Sequence, residues 1–273
     1  MGHKNAPPLS QFGGPSNLDD PMEFASGVQN VVNVIRATPV ADVHRGQVWY
    51  PKVHEAADKA RRGTSMSLRQ NAGVIAATSP NMDFEAVNIH ALREVHKIKR
   101  AGWETIIQSS MQGGKRSPAA QDVLKGLSIA SNTDENLVKA HRIMQGEDLD
   151  DVLHPVNAPK TNSFANNIED PVGERFTGLT IDGRAHDIVR NQMLPWGTTR
   201  SIGGSAPARR RYSQFEEVHH AAREVVQDAL HIPAPGPAIQ AIAWVGGKHL
   251  ERMMTPKGPL AKQGPPRRGQ RYV

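Results

Sequence analysis

Apolar residues recur at intervals of three and four along almost the whole chain, and only the short run Leu179 to Ile181 alternates. That pattern confines the chain to packed helices, because a sheet needs several period-two segments and the sequence offers one at most. Asp20-Pro21 reads as an N-cap followed by proline at the first helical position. It opens a helix to about Thr38 with Val28, Val31, Val32 and Ile35 on one face. A polar helix is predicted over Pro51 to Arg62, a buried one of small and apolar residues over Leu68 to Thr78, and an amphipathic one over Met82 to Arg100. Shorter helices are predicted at Trp103 to Ser110, from Ser117-Pro118 to about Leu127, and from the Thr133 cap to about Gln145. The strongest local signal is Ser213-Gln-Phe-Glu216, a capping box that would start a helix running to Leu230. Pro233, Pro235 and Pro237 then force a turn before a last helix, Ala238 to Met253. The reading is all-α, with about nine helices.

Proline, glycine, serine and asparagine dominate the first 18 residues, which are read as flexible, and 255–273 is read as a flexible basic tail. A single helical domain is expected over 19–254. The chain holds no cysteine, which excludes a disulfide framework and any thiolate metal site and fits an intracellular, cytoplasmic protein. No apolar run approaches the ~18 residues of a membrane span. The net charge of +6 points toward an anionic partner, but Lys257, Lys262, Arg267, Arg268 and Arg271, with no acid among them, supply most of it from the tail. Gly113-Gly114-Lys115-Arg116-Ser117 is not a phosphate loop, because Arg116 stands where serine or threonine should follow the lysine. His219 and His220 are adjacent on one helix and cannot face one metal, so no metal site is expected.

The stretch with the most chemistry runs from Leu153 to Ile188. A Leu-His-Pro-Val-Asn-Ala-Pro turn delivers Lys160 and Thr161 to a helix start, and the extended run ending in Ile181 delivers Asp182 to another. Helix starts carry unpaired N–H groups and partial positive charge, so Asp182 is predicted to be an N-cap, and an anion is favoured at the other.

The Pro-x-x-x-x-Lys-Thr segment from Pro155 to Thr161, followed by Thr180-Ile181-Asp182-x-x-Ala185-x-x-Ile188, resembles the hairpin and catalytic-aspartate region of the helix-hairpin-helix DNA glycosylase superfamily. In that family a Leu-Pro-Gly-Val-Gly-x-Lys-Thr-Ala hairpin precedes a Val-Asp-Thr-His element. The helix at Asn71 to Thr78, the Asn136-x-x-Lys139-Ala140-x-Arg142-Ile143 segment and Gln240-Ala-Ile-Ala-Trp244-Val-Gly-Gly247 fall in the same order, so the resemblance covers roughly Leu68 to Leu250. Val156-Asn157-Ala158-Pro159 replaces the glycines of the hairpin, and the cysteines of the iron–sulfur branch are absent.

What the resemblance implies is a two-lobed helical bundle that acts on a modified or damaged base flipped out of DNA, without a cofactor. By the motif, Lys160 is nucleophile or base and Asp182 the electrostatic partner or general base. Asn157, Thr161, Asn162, Arg184, Arg209, Arg210 and Arg211 are the candidate DNA contacts. Trp49, Tyr50, Asn81, Gln240 and Trp244 are the candidates for a base pocket. For Trp49 and Tyr50 two readings stay open, base stacking and plain helix packing. For the 196–211 segment the alternatives are a phosphate-contacting loop and a solvated insertion.

A bacteriophage branch of the superfamily, the α-glutamyl/putrescinyl thymine pyrophosphorylases, modifies thymine with an amine. A relative of that branch would take an amine or amino-acid co-substrate in a phage-infected host cell. A non-catalytic DNA-binding or virion-associated protein on the same fold is the further alternative. No membrane partner is expected, and the sequence leaves the oligomeric state open.

Overall fold

Most of the capped helix starts are fixed by short polar side chains that take up backbone N–H groups a helix cannot pair internally. Asp20 accepts from the N–H groups of Met22 and Glu23 at the head of α1 (Pro21–Ala37). Ser67 and Gln70 cap each other reciprocally at α4 (Leu68–Thr78), a box the sequence reading missed. Ser117 caps α7 (Pro118–Val123), Thr133 caps α8 (Asp134–Met144) and Asp182 caps α11 (Gly183–Val189). The remaining elements are α2 (Val40–Gln47), α3 (Trp49–Arg61), α5 (Val87–Val95), α6 (Arg100–Met111), α9 (Leu149–Val152), α10 (Pro159–Glu169), α12 (Ala206–Leu230) and α13 (Ala238–Met254). This computed structural model describes residues 17–62, 64–80, 87–191 and 206–254.

The fold is all-helical, as the periodicity predicts, with thirteen helices among the described residues rather than about nine. The expected Met82–Arg100 helix ends at Val95 within its described part, and Lys99 starts a separate helix after a turn. Leu179 to Ile181 pairs with no strand among the described residues; Ile181 N–H instead donates to Leu179 O (3.0 Å), a tight turn at Thr180. The capping box is a correction. α12 begins at Ala206 and runs unbroken past Ser213, so Ser213 lies inside a helix and caps nothing. Arg209–Arg211 therefore sit on helical backbone rather than in a loop; their side chains lie outside the described residues, as do Asn81, the basic tail and residues 1–16.

The buried side chains divide into two clusters. The first is built from α3 to α10, with Ile75, Leu92, Ile106, Leu137, Ile143 and Ile168 among its most buried members. The second joins both ends of the described chain: Val31, Val32 and Ile35 of α1 pack with Leu179, Ile181, Ile188, Phe215, Val218 and Ile242. Two glycines let helices cross closely at the second cluster. A Cβ on Gly46 of α2 would lie 2.5 Å from the Cα of Ile242 in α13, and one on Gly246 would overlap Thr38.

The rejected phosphate loop has a structural job. Gly113 and Gly114 take positive φ, and the turn aims Arg116 at the carboxylate of Asp134 (2.5 Å) and at the carbonyls of Ala130 and Asn132. Ser109 donates to the other oxygen of Asp134 and accepts from the N–H of Ser117, closing the α6–α7 turn on the start of α8.

Candidate functional site

The segment 177–182 is the piece of backbone from which the site is built. Its amides and carbonyls have no strand partner among the described residues, yet buried backbone groups must be satisfied. Side chains do it. Leu179 N–H donates to Glu216 Oε1 (2.8 Å), Leu179 O accepts from the Tyr212 hydroxyl (2.6 Å), and Ile181 N–H donates to that same hydroxyl (3.0 Å). Opposite α12, Asn167 of α10 donates to Thr180 Oγ1 (3.0 Å), and Ser163 packs against Gly178.

The segment thereby presents Asp182 in a fixed pose. One carboxylate oxygen accepts from Ala185 N–H as the cap of α11, and the other accepts from the Trp244 indole N–H at 3.0 Å. A carboxylate has about four lone-pair sites, so both oxygens keep acceptor capacity. Over the Trp244 ring lie the Lys248 ammonium, 4.2 Å from its centroid, and the Arg184 guanidinium, which also pairs with Glu251 at 2.7 Å.

Beside Asp182 the two hydrophobic clusters meet through polar groups. Tyr50 of α3 donates to Gln240 Oε1 of α13 across 3.0 Å, with the Thr180 and Asn167 side chains close to its hydroxyl. Burial pushes the Tyr50 phenol well above its ordinary range, and the Asp182 carboxylate adds to the rise, so it stays protonated as a donor. Burial also drives His219 down to about 4. Its Nδ1 lies 2.8 Å from the Phe215 carbonyl, which can only accept, so the proton sits on Nδ1 and Nε2 is left as an acceptor.

Three buried polar atoms at this seam have no hydrogen-bond partner among the described residues: Asn167 Oδ1, Gln240 Nε2 and His219 Nε2. They lie on fully buried residues of α10, α12 and α13, and each leaves a bonding capacity that a polar group could fill; Asn71 Oδ1 is a further such atom elsewhere in the interior. Removing the Tyr50 hydroxyl would add a fourth at the seam. Tyr50→Phe is expected to lower unfolding free energy by about 1–3 kcal/mol in urea melts, the cost of leaving Gln240 Oε1 unpaired.

Of the residues singled out from the sequence, Tyr50, Gln240, Trp244 and Asp182 come together here. Trp49 is a packing residue: it is buried, edge-on to Tyr50 (4.7 Å) and stacked on Phe164 (5.8 Å). Lys160 is half-buried in the first turn of α10, one turn before Ser163, and has no hydrogen bond or ion pair to any described residue, Asp182 included. Asn157 is exposed, and Thr161 donates to Ala158 O.

Two of the proposed DNA contacts are spent inside the protein. Asn162 is buried, donates to Asp150 and accepts from Asn166. Arg184 has only 11% of its side chain exposed and is held by Glu251 and Trp244. The sequence reading did not place Asn167, Thr180, Tyr212, Glu216 and His219 at the seam; Thr180, Glu216 and His219 drew notice only for other roles, and no local motif marks Asn167 or Tyr212.

No described helix is long and apolar enough to cross a membrane, and no group of three or more metal-ligating side chains occurs among the described residues. No curated protein and no solved structure matches the chain. A family model does match it, over residues 15–250, and the chain therefore belongs to that family, DUF7178, a family of unknown function.

Proposed function

We propose that the protein is a DNA base-processing enzyme that receives a flipped-out modified or damaged base at the polar seam, on a two-lobed bundle of the helix-hairpin-helix glycosylase kind. The observation that carries this reading is the placement of Asp182. Its carboxylate is held by Trp244 of α13 and by the start of α11, and the same helix α13 carries Gln240, which Tyr50 of the first cluster bonds. A carboxylate fixed by the Trp244 indole and the α11 amide can stabilise positive charge developing on a sugar ring without reorganising. Gln240 Nε2 as donor, with Asn167 Oδ1 and His219 Nε2 as acceptors, supplies hydrogen bonds to the edge of a neutral base. Lys160, in the first turn of α10, is the nucleophile or base of this reading.

Base modification, with an amine or amino-acid co-substrate, is the second reading, and the turn before Lys160 favours it over repair. The N–H groups of Asn157 and Ala158 both donate to His154 O, and that of Val156 donates to His154 Nδ1. A hairpin that uses its amides internally has few left for a duplex phosphate.

Incubation with DNA carrying abasic or modified bases, in the presence of borohydride, tests the first reading. A covalent adduct is expected with the wild type and not with Lys160→Ala or Asp182→Asn, while both variants keep the wild-type helical circular-dichroism signal. Mass spectrometry of the nucleosides, with and without added amines, tests the second. Unchanged nucleosides and no adduct would overturn both.

A further inference from the structure

One face of α12 carries Tyr212, Glu216 and His220 at four-residue intervals, and the first two hold the 177–182 segment at different points. Tyr212 bonds Leu179 O and Ile181 N–H, and Glu216 accepts from Leu179 N–H, with His220 one turn further on facing Thr177. Helix side chains thus replace the missing neighbouring strand.

We propose that this ladder is a proton-operated latch on the segment that presents Asp182: protonated Glu216 keeps the segment docked on α12, and loss of that proton loosens it.

Two effects compete at Glu216. A carboxylate would accept the Leu179 N–H more strongly than a carboxylic acid does, but Glu216 is largely buried, and burial wins, pushing it up to about 7. The neighbouring Glu217 carboxylate pushes the same way. The other ionisable groups on α12 near it are Tyr212, which stays protonated, and His219 and His220, both shifted down by burial and neutral at pH 7. Across the segment α10 bears Lys160 and Glu169, the latter paired with Arg69 and Arg175. From α11 come Asp182 and His186, whose ring lies against Phe215, and α1 bears Glu23 and Arg36. None of these pairs with Glu216 by an ion bridge among the described residues.

Opening the segment returns Glu216 to water and to the ordinary value of 4.5. The docked state therefore binds the proton more tightly than the open one. Docking is fully favoured below about 4.5 and weakens as pH rises through about 7.

Amide hydrogen exchange of the full chain tests this, with rates corrected for intrinsic pH dependence and referenced to the amides of α4. Protection of Leu179 is expected to fall between pH 5 and 7 by up to about tenfold per pH unit in the wild type. It should be flat in Glu216→Gln, whose amide oxygen still accepts the N–H. A flat wild-type profile overturns the latch whatever the variant does, and so does an unchanged slope in Glu216→Gln with α4 protection intact. The test uses no DNA, so its failure is separate from failure of the proposed activity.

Discussion

Truncation of Arg116 to alanine is expected to cost about 3–5 kcal/mol of folding stability, the usual result of stripping one partner from a buried ion pair. Asp134 is 8% exposed and would keep only the Ser109 hydroxyl on its carboxylate. Its position in the first turn of α8, where the helix end favours negative charge, offsets a part of roughly 1 kcal/mol or less. The loss is compounded because Arg116 also satisfies the carbonyls of Ala130 and Asn132, which close the loop before α8. Removing both charges in Arg116→Met with Asp134→Ala should therefore cost less than Arg116→Ala alone. Urea melts of the three proteins decide it, and a double variant less stable than the single one would show that packing rather than charge holds this corner.

Gly46→Ala is expected to destabilise the protein by at least about 3 kcal/mol, at or beyond the upper end of ordinary overpacking. Alanine is favoured over glycine in a helix by about 1 kcal/mol, so a stabilising effect must first be overcome. Steric conflict wins because the new methyl meets backbone, the Cα and N of Ile242 at 2.5 and 2.8 Å, and α2 would have to lift off α13. Gly73→Ala is the informative comparison. There the Cβ meets the Leu149 Cδ1 at 2.6 Å and methyl groups of Ile143, side-chain ends that can swing aside, so its loss should be clearly smaller. Equal losses in thermal or urea unfolding would contradict this account of the α2–α13 crossing.

Helix starts marked by Asp20, Ser117, Thr133 and Asp182 were legible in the sequence because a cap is a local bargain between one side chain and the next three amides. The Ser213 box misled for the same reason: serine followed three residues later by glutamate stabilises a helix start only where no helix already runs. Here Arg209–Arg211, good helix formers, lie on an α12 that begins at Ala206, and Glu216 turns instead to Leu179. Asp182, Tyr50, Gln240 and Trp244 stood out by residue type and by resemblance. Asn167, Tyr212 and Glu216 did not, since their partners belong to a strandless segment whose neighbours only the tertiary fold defines. Asn162 and Arg184 looked like surface contacts because nothing near them in sequence announces Asp150 or Glu251 as their partners.

The second hydrophobic cluster has a consequence for how the molecule comes into being. Synthesis delivers α1 and α2 long before the elements that cover them, α11 to α13. The portion from α3 to α10 can close on itself while the ribosome is still working, whereas Val31, Val32 and Ile35 stay wet until α13 has been translated. That long-distance reunion makes the opening helix the part of the nascent chain most in need of a chaperone, and the step that joins the two ends the slowest in assembly.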